Sequence, residues 1–437
     1  MALQFAVVLA AIWLGARYSG VGLGLWGAVG LLVLVVGFGV TPTSPPIDVM
    51  LIILAVIMAA SVMDAAGGID FLVRIAERVI RANPKYVTIV APLTTWAFTF
   101  VAGTGHIVYP LLPVIYETAH QSGIRPERPM AIATIASQQA ITASPVAAAT
   151  AAMIGLFSEK GLTQWGLPQI LMICVPATLI GVTVAAIVSM FIGKDLEDDP
   201  DYQARLKSGA IPPPQAAGQR PPLPPAAVTS AVIFLIGVAL VVLFGFFPAL
   251  RHLPGAKSPL AMPLVIEIVM LSVAAVMLAV TRVAVDEVPK TPTLRAGVVA
   301  VIGIFGLAWL GDSFIAAHQD VIVPAIKAMT EKDPWTFVFG LFGASVLLYS
   351  QAATTRALMP LGLALGFPPQ FLIGAFPSVN GYFFIPTYGS LIAAINFDLS
   401  GTTKIGKYIL NHSFMIPGLV ATSVAVFTGL LIAKLIF

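Results

Sequence analysis

The chain is a succession of apolar runs, each bounded by charge or by Pro/Gly clusters, and the lengths of those runs predict its elements. Runs near 2–16, 20–40, 47–65, 128–157, 165–192, 226–248, 260–281, 296–317, 371–397 and 410–433 each predict a membrane span, since about 20 apolar residues of helix cross a hydrocarbon core of about 30 Å. Two more stretches, near 86–120 and 335–366, are too long for one span. Each carries small polar residues in its middle: Gly103-Thr104-Gly105-His106 in one, Ser350-Gln351 through Thr355-Arg356 in the other. Their arms are about 14–17 residues, roughly 21–26 Å of helix, too short to cross. Both therefore predict re-entrant hairpins with tips inside the membrane, where irregular backbone needs protein or a wet cavity around it. The fold class expected is an all-α polytopic membrane protein of about ten transmembrane spans plus two re-entrant helical hairpins.

Composition narrows the function classes. Of 437 residues 58% are apolar and 10% charged, against about 25% charged in soluble domains, which excludes a water-soluble globular fold and a disordered chain. A net charge of +3 is too small to indicate a nucleic-acid partner. The one cysteine, Cys174, cannot form an internal bridge or a Cys-based metal site. No HExxH, GxSxG, P-loop or helical pair of metal ligands is present, so neither an enzyme nor an ATP-driven pump is expected, and no cofactor or metal.

Charge also orients the chain. Residues Ala2–Leu14 are apolar with no basic residue before them, and Arg17 follows, which reads as a retained first span rather than a secretory signal. With the N-terminus outside and both hairpins returning to the face they left, sixteen of the 23 Lys/Arg fall in cytoplasmic segments and only Arg356 within the membrane. That obeys the positive-inside rule and puts both termini outside.

A weak internal repeat divides the chain. Pro84 and Pro334, His106 and Arg356, and Pro110 and Pro360 share an offset of 250; Asp64 and Asp312 are offset by 248; Ser137/Ser378, Gln139/Asn380 and Pro145/Pro386 by 241. The expected organisation is a first repeat over 1–192 with its hairpin at 86–120, a cytoplasmic linker over 193–225, and a second repeat over 226–437 with its hairpin at 335–366. Five spans per repeat is odd, so the second would enter the membrane upside down, as in many secondary transporters. The linker opens acidic and closes Pro-rich, a composition of extended, partly disordered connectors.

Four discontinuities would then converge: the two tips, and two interrupted spans at Ser137-Gln138-Gln139 through Ser144-Pro145 and at Ser378-Val379-Asn380-Gly381 through Pro386-Thr387. Broken helices offer N–H ends to anions and carbonyl ends to cations. The candidate substrate-binding residues are Gly103, Thr104, Gly105, His106, Ser137, Gln138, Ser144, Ser350, Gln351, Thr354, Arg356, Ser378, Asn380 and Thr387. Arg356 suits a carboxylate, and equally an internal partner such as Glu267 or Asp312. His106 suits substrate donation, proton carriage or a structural role; Glu267, a proton carrier or a helix contact. The Gly20/Gly24 spacing permits close helix packing.

The stretches Asn83-Pro84-Lys85-Tyr86, Gly103-Thr104-Gly105, Arg125–Pro129, Leu348–Pro360 and Phe397–Pro417 resemble the anaerobic C4-dicarboxylate transporter family (Dcu), part of a broader ion-transporter superfamily. The most specific parts are Tyr349-Ser350-Gln351-Ala352-Ala353, Ser400-Gly401-Thr402-Thr403 and Asn411-His412-Ser413-Phe414, and only the Pro-rich linker lacks the likeness. Leu347–Pro360 is closest to the branch of aspartate and fumarate uptake, which has a basic residue at Arg356; His106 matches the fumarate–succinate exchanger branch. The resemblance implies a carrier in the bacterial inner membrane that exchanges fumarate, malate, succinate and aspartate by alternating access, often as a homodimer, with the tips and broken helices as the site. The alternatives are H⁺- or Na⁺-coupled uptake, or a membrane sensor that binds dicarboxylate without moving it.

Overall fold

A computed structural model describes residues 1–18, 21–209, 211, 222–256, 258–318, 320–321, 324, 333–348, 350–386, 388–408 and 410–437. Thr387 of the candidate site, most of the Pro-rich half of the linker, and Arg220, Lys257, Lys327 and Lys332 of the charge argument lie outside the described residues.

Among the described residues the chain is helical, with one isolated bridge between Ile405 and His412. Six of its helices are long and apolar enough to cross a membrane: Ile47–Ala65, Leu167–Ser189, Ala227–Phe246, Met262–Thr281, Pro292–Ala317 and Met415–Ile436. The order begins with α1 (Ala2–Tyr18), α2 (Gly22–Leu32, extended by a π-helical turn Val33–Gly37) and α3 (Ile47–Ala65). Then come α4 (Gly68–Ala82), α5 (Val87–Ala102), α6 (Val108–Gln121), α7 (Glu127–Gln139), α8 (Ala148–Glu159) and α9 (Leu167–Ser189). A short α10 (Pro200–Lys207) lies in the linker. The second part runs through α11 (Ala227–Phe246), α12 (Met262–Thr281), α13 (Pro292–Gly303), a π turn Ile304–Ala308 and α14 (Trp309–Ala317). It closes with α15 (Trp335–Leu348), α16 (Gln351–Ala364), α17 (Pro369–Ala375), α18 (Gly389–Phe397) and α19 (Met415–Ile436).

Both long apolar stretches are interrupted where small polar residues sit, between α5 and α6 and between α15 and α16. The spans expected near 128–157 and 371–397 are likewise broken, α7 from α8 and α17 from α18. Each interrupted helix is too short to cross alone by the 1.5 Å rise per residue, so what holds it is packing against its neighbours. The first part binds the second chiefly through α9 and α19. Elsewhere α2 crosses the π turn after α13 with backbone nearly touching backbone: a Cβ on Gly27 would lie 2.6 Å from the Gly306 carbonyl carbon, and one on Gly24 would overlap the Ile302 carbonyl oxygen. Only glycine permits that approach; Gly20 of the expected pair lies outside the described residues.

Two segments read as polar connections are folded. Residues 68–82 form an amphipathic helix that buries Leu72, Val73, Ala76 and Ile80 at helical spacing. Charged positions interrupt its apolar run, so run length alone misses it. Arg81 ties it down, donating to Glu77 at 3.2 Å and to Glu117 of α6 at 2.8 Å. The acidic half of the linker docks as well. Asp199 caps α10, accepting from the Asp201 and Tyr202 backbone N–H groups at 3.0 and 3.1 Å, and its other oxygen accepts from Arg125 at 2.5 Å. Tyr202 is buried with its hydroxyl 2.7 Å from His120, and Arg128 donates to Asp195 at 2.6 Å. Partial burial works against the Asp199 carboxylate, but those N–H groups and the Arg125 guanidinium outweigh it and hold the group below its usual range. The turn between α6 and α7, with Arg125, and the first turn of α7, with Arg128, thus supply the basic partners that the acidic residues need.

Candidate functional site

The two tips start from local backbone chemistry. Helix α5 ends on Gly103 in the left-handed conformation (φ +69°), its N–H bonded to the Thr99 carbonyl at 2.8 Å, a helix stop that glycine adopts without strain. The Thr104 hydroxyl then accepts from the His106 N–H at 3.3 Å and starts the turn into α6. In the second pair the Ser350 hydroxyl accepts from the Ala353 N–H at 3.2 Å and caps α16. Each tip therefore opens its returning helix with a hydroxyl.

Packing then brings the interruptions together. A Cβ on Gly103 would lie 2.7 Å from the Val146 carbonyl oxygen, in the break after α7, and one on Gly105 would overlap the Gln138 side chain. Gln351 donates from one Nε2 to Gln138 Oε1 at 2.9 Å and to Asn380 Oδ1 at 3.2 Å. Asn380 donates to Gln139 Oε1 at 3.3 Å, and Gln139 donates to the Thr422 hydroxyl of α19 at 2.8 Å. All of these side chains are buried. An uncharged amide chain thus joins the second tip to both broken spans, and the first tip rests on one of its members. Paired amides at this depth avoid the penalty that a buried polar group without a partner would carry.

Beside this chain lies a cavity of about 970 Å³. Of the sequence-derived candidates, Gly103, Thr104, Gly105, His106, Gln138, Ser350 and Gln351 line it. His106 is exposed to this space and stacks on Tyr109 with ring centroids 5.7 Å apart. Sequence reasoning did not single out Tyr109, Tyr388 and Arg295, which also line it. Among the described residues no acidic side chain lines the cavity, and no cluster of His, Cys, Asp and Glu is arranged to hold a metal ion. The surface has the size of a small-molecule site and suits an anion better than a cation.

The remaining candidates stand behind that surface. Ser137 donates to the Thr134 carbonyl at 2.8 Å and Ser378 to the Ala375 carbonyl at 2.7 Å, the same bond three residues back in each broken span. Ser144 accepts from the Val146 N–H at 3.3 Å, and Thr354 donates to the Ser350 carbonyl at 2.8 Å. Asn380 joins the amide chain without lining the cavity. Arg356 lies outside the lining too, 5% exposed, with Nη2 at 2.7 Å from Glu159 and 3.7 Å from Asp312. Of its two expected roles, this geometry is that of the internal partner. Glu267 takes no part in that cluster.

All of residues 1–437 match the family described as anaerobic C4-dicarboxylate membrane transporters. The chain belongs to that family. Among curated members of this C4-dicarboxylate transporter family, the chain is 40% identical over 435 residues to C4-dicarboxylate transporter DcuA of Wolinella succinogenes, covering 99% of each chain. It is 38% identical over 442 residues to anaerobic C4-dicarboxylate transporter DcuB of Escherichia coli O6:H1, covering 99% of this chain and 98% of that one. These relatives are transporters and not enzymes, and the apolar helices accord with a multi-pass membrane protein. The fold is similar to that of the solved MtrF of Neisseria gonorrhoeae, whose structure is titled as illuminating a class of antimetabolite efflux pumps. The TM-score is 0.50 at 12% identity, covering 94% of this chain and 85% of that one.

The stretches Ser400-Gly401-Thr402-Thr403 and Asn411-His412-Ser413-Phe414 lie outside the cavity lining. Asp398 is buried and accepts from the Ser400 N–H at 2.9 Å, the Thr402 hydroxyl at 2.8 Å and the Thr403 N–H at 2.5 Å. Ser413 donates to Glu127 at 2.6 Å, and Thr402 Oγ1 accepts from the Glu127 N–H at 3.1 Å. In this member of the family these residues tie the non-helical loop before α19 to the first turn of α7, a structural use of polar groups in a region without regular secondary structure.

Proposed function

We propose that this chain is an alternating-access carrier of C4-dicarboxylates — fumarate, malate, succinate and aspartate — working as an exchanger in the bacterial inner membrane. The observation that carries the reading is the meeting of both interrupted hairpins and the first broken span at one cavity whose described lining holds no acidic side chain. In this reading the two halves, 1–192 and 226–437, are inverted copies. Two features support it. Gln139 and Asn380, which the 241-residue offset pairs, are bonded to each other, as expected for equivalent residues beside a two-fold axis. Ser137 and Ser378, paired by the same offset, make the same local bond.

The substrate carboxylates would be bound by neutral donors: the hydroxyls of Thr104 and Ser350, the amides of Gln138 and Gln351, His106, and backbone N–H groups at the tips. Ser137, Ser144, Thr354, Ser378 and Asn380 would shape that surface from behind, with Thr387 near it in sequence. Dianion-for-dianion exchange moves no net charge, so the membrane potential does not oppose it.

Counterflow tests this directly. Proteoliposomes preloaded with unlabelled fumarate should accumulate labelled fumarate, and succinate, malate and aspartate should compete. Binding without counterflow would leave a sensor, and failure of all four to compete would leave a carrier of another anion. A second reading, proton-coupled uptake, has His106 in its favour because the imidazole is exposed in the cavity. Uptake into empty vesicles driven by a pH gradient would select it.

A further inference from the structure

Helix α13 turns one continuous face to the cavity: Pro292, Arg295, Ala296, Val299, Ala300 and Gly303, at the i, i+3, i+4, i+7 spacing of a helical stripe. Its other side is committed elsewhere, with Thr293 donating to Asp64 at 2.7 Å and Gly297 pressed against Ile57. Five of the six stripe residues carry little or no polarity. The sixth, Arg295, is exposed, forms no ion pair with any described residue, and among the described residues is the one permanently charged side chain in the cavity lining. The start of α13 adds little charge of its own, because the Thr291 hydroxyl already accepts from the Leu294 N–H at 3.2 Å.

We infer that Arg295 is a substrate-contacting residue, which draws the dianion into the cavity and pairs with one carboxylate while the other reaches the neutral donors of the tips. The inference deepens the dicarboxylate reading above and rests on it. Its physical ground is a mismatch: a doubly negative molecule must leave water for a space whose other walls are neutral and largely apolar. The guanidinium is the lining group able to offer a two-pronged, charge-assisted bond to a carboxylate. No described side chain pairs with that fork. An arginine serving only to anchor the helix at a membrane surface would not need to lie on the cavity stripe.

The test is the concentration dependence of fumarate counterflow in proteoliposomes for wild type, Arg295→Lys and Arg295→Gln, with fumarate-induced thermal shifts of the purified full chain alongside. Arg295→Gln should raise the KM about tenfold or more while Vmax stays within about threefold, and should shrink the thermal shift at fixed fumarate. Arg295→Lys should fall between the two. The wild-type KM should rise with ionic strength, and that rise should flatten in Arg295→Gln; if this variant does not fold, the salt response of wild type against Arg295→Lys decides. Wild-type counterflow with an unchanged KM in Arg295→Gln would overturn this inference alone. Absence of both counterflow and a thermal shift in wild type, with any of the four C4 acids, would overturn the dicarboxylate reading and this inference with it.

Discussion

Two polar centres lie within the apolar body of this protein, and they are built in opposite ways. Around the tips, the amides of Gln138, Gln139, Gln351 and Asn380 are neutral and joined by hydrogen bonds, and two of them, Gln138 and Gln351, line open space. Around Arg356, a guanidinium is nearly enclosed with Glu159 and Asp312 and does not reach the cavity. Neutral donors can exchange a bond with one another for a bond with a carboxylate at small cost, and so suit a ligand that must later leave. A buried ion pair is costly to break because removing one member strands the other. The contrast teaches that a buried charge in an apolar protein does not by itself mark a ligand site; here the buried Arg356 guanidinium is held by carboxylates of its own chain.

The largest expected effect breaks the charged centre. Arg356→Ala would leave Glu159 and Asp312 close together with no cation between them and should cost about 3–5 kcal/mol, read as a lower melting temperature and poor yield in detergent. Combining Arg356→Met with Glu159→Gln and Asp312→Asn should restore folding and keep fumarate binding. A folded triple variant that no longer binds fumarate would return the guanidinium to the substrate.

Next in size is Gly103→Ala. The left-handed backbone at that position costs a side chain roughly 1–2 kcal/mol, and its Cβ would meet the Val146 carbonyl oxygen 2.7 Å away. The tip must shift, and counterflow should fall about tenfold in protein that still folds. Gln351→Ala strips the amide chain of its central donor and should weaken fumarate binding by a similar or smaller factor. Ser378→Ala, whose hydroxyl serves only its own backbone, should stay within about twofold. Equal losses in Gln351→Ala and Ser378→Ala would erase the distinction between lining and support.

The smallest effect belongs to the docked linker. Asp199 sits below its usual range, so its contribution is complete above the ordinary carboxylate value of about 3.9 and disappears as pH falls through the lowered folded value. Limited proteolysis should find 193–209 protected at neutral pH and exposed only in strong acid. Asp199→Asn should be nicked faster at neutral pH, with transport changed by less than about twofold.

The sequence made the breaks legible because proline, glycine and hydroxyl residues in an apolar run have few other uses. Gly103, Ser144-Pro145, Ser350 and Asn380 all sit where helices stop or restart. Which of those residues faces the cavity was not legible, because Ser137 and Gln138 are adjacent and only the turn of the helix separates a carbonyl-bonded hydroxyl from a lining amide. Arg295 gives no local signal, since its cavity face is defined by packing across 190 residues of chain against the first tip rather than by any sequence pattern. Helix α4 escaped for the related reason that a surface helix signals itself by period rather than by run length.

The central claim is that substrate sits against the hairpin tips. In a Cys174→Ser background, which removes the single native thiol, Ser350→Cys should react with a small maleimide, and saturating fumarate should slow that reaction several-fold. Labelling at an unchanged rate, under conditions where the same protein exchanges fumarate at its maximal rate, would contradict the account.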